Sequence, residues 1–455
     1  MHSLKTLVQP IQATRFSAVA LVLALLAAIS ASVPAARAEV AIQEVTGESG
    51  VTAWLVEDYS VPIVTIRFAF EGGSTQDPDG KEGLAQLMSG LFDEGAGELD
   101  SDAFQIRLDD SGAEMRFGAG MDTIYGSMRM LTDQKDEAFA LLRMAIQQPR
   151  FDEGPVDRIR AQMVSGIVAA TRDPETAAQT KWREALHGDH PYARPDEGTQ
   201  ESLATIAPDD LEAFHAAVFA RKNLTVAIVG AIDAAETRRV LDQLFGALPQ
   251  EPSLDPVAQS DWNLGQQMSV DYDLPQTSLQ LAFPGVARDA PDFFAAYLMN
   301  EILGGGTFGS RLFEEVREKR GLAYSVGSSL VTQEYSSGLI IGTATRSDRA
   351  SETLAVIREV AAEMAAEGPT EEELAAVKKF VIGAYAINNL DSSTAIASTL
   401  VSLQEDDLGI DYMQNRAALI NGVTVEQVRQ AARKLLSAEP AVMIVGPPFE
   451  GGNRG

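Results

Sequence analysis

Arg317 and Tyr324 are the residues of this chain whose types and placement could do chemistry together. Arg317 falls in a segment that reads as a helix: Ser310 can cap its start, and Glu314 and Glu315 sit in its first turn, where the helix dipole favours acids. Gly321 then stops it. A chain that turns at Gly321 brings Tyr324 onto the start of a strand beside the helix's last turn, so a guanidinium and a phenol could face one point from two elements. Such donors can hold a substrate carbonyl or a developing oxyanion. Taken alone, the two residues read more simply as a helix-surface arginine and a half-buried tyrosine. Upstream, Gly304, Gly305, Gly306 and Gly309 either let a peptide backbone pass close to the chain or make a tight loop.

Other constellations carry less. His187 and His190 with Asp189 invite a metal, but Gly188 and Pro191 make the segment a loop, so metal is the weaker reading. Gly327-Ser328-Ser329-Leu330-Val331 lacks the closing glycine of a nucleophile elbow, which argues against a serine hydrolase. Leu141, Leu142, Met144 and Ala145 read as a core face. Asp109-Asp110 and Glu371-Glu372-Glu373 read as solvated turns or helix starts.

These residues must be positioned by a chain that looks exported. Lys5 and Arg15, an apolar run from Phe16 to about Ala31, and Ala36-Arg37-Ala38 before Glu39 follow the order of a secretory signal peptide cleaved after Ala38. The run is shorter than the ~20 residues of a spanning helix, so no membrane insertion is expected after cleavage. The chain has no cysteine, hence neither a disulfide nor a lipoprotein anchor, and the expected location is a bacterial periplasm. It carries 36 lysines and arginines against 65 acids. Loss of Lys5, Arg15 and Arg37 with residues 1–38 makes the balance more acidic still. No nucleic acid or anionic lipid partner is expected; the charge serves solubility, or lines a chamber that attracts basic peptides.

An internal repeat sets the architecture. Val61–Phe70 aligns without a gap on Leu274–Phe283, and Leu224–Gly230, a closing apolar strand, has its counterpart in Pro440–Gly446. Each half reads as strands in neighbouring runs separated by long helical patterns. The expectation is an α+β fold of two homologous domains, each an antiparallel sheet with helices packed on one face. The segments are a signal peptide over 1–38, an N-terminal domain over 39–247, a linker over 248–263, a C-terminal domain over 264–446 and a flexible tail over 447–455.

Gly83-Leu84-Ala85-Gln86-Leu87-Met88-Ser89-Gly90-Leu91-Phe92 resembles the zinc-binding helix of the M16 (insulinase and mitochondrial-processing-peptidase-like) metallopeptidases. The resemblance runs from about residue 45 to 446. It takes in Glu71-Gly72-Gly73-Ser74, His190-Pro191-Tyr192 and Asn223-Leu224-Thr225, and is most specific from Leu303 to Val326. In active members the helix reads His-x-x-Glu-His, two zinc ligands and a base; here those positions are Gln86, Ser89 and Gly90. The stretch matching the third ligand, Arg160–Ala169, contains no acid. The resemblance implies a subunit of the short bacterial branch that holds no metal or other cofactor itself. Its zinc would reside in a partner chain carrying His-x-x-Glu-His. The resemblance further makes Arg317 and Tyr324 the catalytic donors to a peptide substrate across a shared chamber. On the reading in which a peptide backbone passes close to the chain, Gly304, Gly305 and Gly306 are the substrate-binding residues. The rival expectation is a peptide-binding or scaffold protein without turnover.

Overall fold

Strand β3 (Ile63–Glu71) shows how the sequence makes the first sheet: Val64, Ile66, Phe68 and Phe70 point to one face and are fully buried, as period-two alternation requires. Its counterpart β8 (Gln276–Pro284) begins 213 residues later and buries Leu279, Leu281 and Phe283 in the same way. The computed structural model describes residues 40–306 and 309–448. The expected leader, and all of the expected tail beyond Pro447 and Pro448, lie outside the described residues. Among the described residues no helix is long and apolar enough to cross a membrane.

Six strands form the first sheet: β1 (Gln43–Thr46), β2 (Thr52–Glu57), β3, β4 (Glu114–Ala119), β5 (Thr123–Leu131) and β6 (Leu224–Gly230), in the order β1-β2-β6-β3-β5-β4. The second holds β7 (Gln267–Asp271), β8, β9 (Ala323–Gln333), β10 (Ser336–Arg346) and β11 (Ala441–Gly446), in the order β7-β11-β8-β10-β9. Apart from β1 the two orders correspond strand for strand. The fold is α+β, with one departure from purely antiparallel pairing in each sheet: β2 runs parallel to β6 and β7 parallel to β11. The two strands of each parallel pair are separated by several helices and strands, long enough a connection for a parallel crossover. Residues 249–266 contain no helix or strand and join the two sheets. They are tied down at Ser260, whose N–H donates to Tyr335 O at 2.7 Å.

Helices cover both faces of each sheet, not one, and the second face is covered from the other half. Helix Pro174–His187, in the first half, lays Ala178, Trp182 and Leu186 on Ala282, Ala441, Met443 and Val445 of the second sheet. Helix Ser393–Glu405, in the second half, lies on β3 and β6 of the first. There the Thr65 and Ser393 hydroxyls are 2.9 Å apart and Gln404 Nε2 donates to Val226 O at 3.1 Å. The exchange explains why β11 is buried at every residue: a strand covered on both faces must be apolar throughout.

Candidate functional site

Helix Leu84–Ser89 starts where Asp77 accepts hydrogen bonds from the N–H groups of Gly83 and Ala85 at 2.8 and 2.9 Å. Burial pushes the Asp77 carboxyl up to about 7, against the pull of those donors. The helix presents Gln86, Ser89 and Gly90 to a cavity of about 1070 Å³, whose opposite wall includes Met163, Gly166 and Ile167 of helix Glu153–Ala170. The acid-free decapeptide is therefore brought face to face with the three substituted helix positions. The Gln86 amide N–H and the Ser89 hydroxyl are both spent on backbone carbonyls. Gln86 Nε2 donates to Ala119 O at the end of edge strand β4 (3.1 Å), and Ser89 Oγ donates back to Gln86 O (2.8 Å). Among the described residues no three His, Cys, Asp or Glu side chains are grouped to hold a metal ion. An amide, a hydroxyl and a glycine facing methionine and isoleucine do not fit zinc.

The histidine loop is likewise structural. His190 uses both ring nitrogens, Nε2 on Ala258 O at 2.8 Å and Nδ1 as acceptor for the Tyr192 N–H at 3.1 Å. His187 Nδ1 lies 3.1 Å from Ser260 Oγ, and burial holds its pKa down to about 4. His215 Nε2 donates to Ile146 O at 2.9 Å and so carries the ring proton. Tyr192 sends its hydroxyl to Asp122 at 2.7 Å and receives the Tyr335 N–H at 3.1 Å, joining the tips of the β4–β5 and β9–β10 hairpins. This last contact was not foreseen from the sequence.

Arg317 and Tyr324 do meet. The Arg317 guanidinium carbon lies 4.9 Å from the Tyr324 ring centroid and 4.7 Å from that of Phe313, within cation–π range. Tyr324 is not half-buried: it is 83% exposed, near the start of β9, the open edge of the second sheet. Gly321, at φ +59°, ends the helix, and its N–H donates to Arg317 O at 2.9 Å. The helix differs from expectation in two ways. Its body, Phe313–Glu318, is a π-helical turn, a widening found often at functional sites. Ser310 helps through its carbonyl, which accepts the Glu314 N–H at 3.0 Å, while its buried hydroxyl has no partner among the described residues.

The three glycines answer to contacts within the chain. A Cβ on Gly304 would lie 2.8 Å from Ser328 N, one on Gly305 would strike the Asn300 side chain, and one on Gly306 would lie 2.7 Å from Glu301 O. These contacts account for a tight loop without invoking a peptide.

Arg311 anchors this region to helix Glu371–Asn389 through paired bonds to Glu373 of 2.8 and 2.9 Å and a third to Gly368 O. The Arg311 hydrogen bonds hold the Glu373 carboxyl down to about 2. A folded-state pKa below the unfolded value of 4.5 means that the stabilisation is present above that value and is lost as pH falls toward 2. Acidification from about pH 5 to about pH 3 should therefore lower the melting temperature more in the native chain than in Glu373→Gln. Parallel melting curves would show that the pair contributes nothing.

The family description "Insulinase (Peptidase family M16)" matches residues 53–200, and "Peptidase M16 inactive domain" matches residues 205–381. An uncharacterized zinc protease of Mycobacterium leprae is 30% identical over 345 residues, 75% of this chain and 77% of that protein. The chain belongs to the M16 peptidase family. It is also similar to the peptidase M16 inactive domain from Pseudomonas fluorescens, with a TM-score of 0.84 and 31% identity, covering 90% of this chain and 98% of that one. The Helicobacter pylori protein named "Non-peptidase homolog YmxG" is 26% identical over 347 residues, 75% of this chain and 79% of that protein. Within the M16 frame, the donor set at Gln86, Ser89 and Gly90 predicts that the purified chain holds no stoichiometric zinc and cleaves no peptide alone. Elemental analysis finding about one tightly held zinc per chain, with chelator-sensitive peptidase activity, would contradict this.

Proposed function

We propose that this chain is an exported, periplasmic M16 subunit that pairs with a catalytic M16 chain carrying His-x-x-Glu-His. It binds extended peptide with that partner and donates hydrogen bonds from Arg317 and Tyr324 to the scissile carbonyl. The observation that carries this reading is the exposed pair itself. Tyr324 is a large side chain left 83% exposed, held only against an arginine, with no hydrogen bond given to its hydroxyl among the described residues. The Arg317 guanidinium also makes a long ion pair with exposed Glu318 (3.5 Å), a contact that an incoming carbonyl or oxyanion can compete with, while the phenol faces outward. Strands β4 and β9, each at one edge of its sheet, supply backbone groups to which an extended peptide can add as a further strand. The test is reconstitution with an M16 chain bearing His-x-x-Glu-His from the same genome. A complex of the two chains that cleaves peptides neither cleaves alone is expected. Cleavage by the partner that is indifferent to this chain would remove the subunit role.

A second reading, a peptide-binding or scaffold protein without turnover, is favoured by one observation. The position that holds metal in active relatives is here a cavity of about 1070 Å³ lined in part by Ile159, Met163 and Ile167, which suits the apolar side chain of a bound peptide. Peptide binding by the isolated chain, unaffected by the partner, would place this reading first.

A further inference from the structure

The second half contains a cavity of its own, about 670 Å³, between helices Phe293–Asn300, Glu371–Asn389, Ser393–Glu405 and Tyr412–Gly422. Its chemistry differs from that of the first. Arg416 lines it while only 8% exposed. The Arg416 guanidinium lies 4.2 Å from the Tyr385 ring centroid and 6.0 Å from that of Tyr297, and Nη1 donates to Val381 O at 3.2 Å. Among the described residues it joins no carboxylate in an ion pair, and a charge so buried is costly unless something compensates it. Arg288, the other cation here, is already paired with Asp406 at 3.2 Å and donates to the Tyr412 hydroxyl at 2.8 Å. The Tyr385 hydroxyl is buried and has no hydrogen-bond partner among the described residues. Glu301 lines the same cavity, from the π-helical turn Glu301–Gly305, and forms no ion pair with Arg416. A cation and an acid that attract each other without direct contact thus share one space with an unsatisfied hydroxyl and aromatic walls.

We propose that this cavity binds a small zwitterion, a free α-amino acid or a dipeptide with an apolar side chain. Its carboxylate is held by Arg416 and its ammonium by Glu301, and its side chain lies among Phe293, Tyr297 and Tyr412. A lone anion would leave Glu301 repelling it, and a lone amine would leave Arg416 uncompensated; a zwitterion satisfies both. Burial raises the Glu301 carboxyl above its ordinary value and Arg416 opposes that rise, so a cation placed beside it favours its charged form.

Calorimetric titration of the full mature chain tests this with four probes: L-phenylalanine, the dipeptide Phe-Phe, 3-phenylpropionate and 2-phenylethylamine. At least one zwitterion should bind, with the acid and the amine each weaker by about tenfold or more. Which zwitterion binds tighter distinguishes a free amino acid from a dipeptide. Glu301→Gln should weaken the zwitterion about tenfold and leave 3-phenylpropionate no weaker. Arg416→Met should abolish binding. If that variant fails to fold, Glu301→Gln and Tyr385→Phe, which remove a charge and a hydroxyl with little change in shape, carry the test. Absence of binding by both zwitterions at millimolar concentration overturns the proposal. So does equal binding of the acid or the amine, or native affinity in folded Glu301→Gln.

Discussion

Tyr324→Phe is expected to lower the kcat of the reconstituted pair about 10²-fold while changing KM and melting temperature little. If its hydroxyl donates to the oxygen on which charge develops, the lost bond matters most in the transition state, so the loss appears in kcat. The exposure of Tyr324 makes the experiment sharp: a hydroxyl with no hydrogen bond given to it among the described residues, on a side chain 83% exposed, can be removed without disturbing the fold. Arg317→Ala should raise KM as well as lower kcat, because a guanidinium can also hold the ground-state peptide. It also removes the stack on Tyr324 and Phe313. Single-turnover rates and melting curves on the same preparations separate the outcomes. An undiminished rate in a stably assembled Tyr324→Phe complex would end the donor role and put the binding-protein reading in front.

Trp182→Ala should cost about 3–5 kcal/mol of stability, measured as a fall in denaturant midpoint. Trp182 is 2% exposed at the centre of the contact between helix Pro174–His187 and the second sheet. Its indole N–H has no hydrogen-bond partner among the described residues, so truncation orphans no polar group there. The cost is the lost burial and the cavity left behind. Because this first-half helix covers a second-half sheet, the variant should also loosen the second half, read as faster amide exchange in β11. A midpoint shift under about 1 kcal/mol would make the helix peripheral.

Much of the fold was legible because strand and helix periods are written in the side chains. The alternation from Ile63 to Phe70 and from Gln276 to Phe283 locates β3 and β8, and Gly321 marks a helix end that its positive φ explains. The exchange of helices was not read, although one signal was present: Val442-Met443-Ile444-Val445 is apolar without alternation, the mark of a strand buried on both faces. Nothing local says which helix does the covering, since that depends on contacts across the chain. The substitutions at Gln86, Ser89 and Gly90 were plain in the sequence, whereas the cavity beside them depends on how Met163 and Ile167 pack. The nearness of Arg317 to Tyr324 followed from the turn at Gly321. The exposure of Tyr324 did not, because it arises from the place of β9 at the rim of its sheet. Arg416, Glu301 and Tyr385 come from three separate helical segments and carry no motif.

The traded helices have a consequence for the integrity of the chain. Topologically it is a domain-swapped dimer whose two copies have been fused end to end, with residues 249–266 as the tether. A protease that nicked that tether would release no free half: Trp182 and Leu186 would remain seated on one fragment's sheet, and Ser393 and Gln404 on the other's. The second-half piece made alone would leave an apolar sheet face bare, with Met443 and Val445 open to water, and would be expected to aggregate or to capture the missing helix from a second molecule.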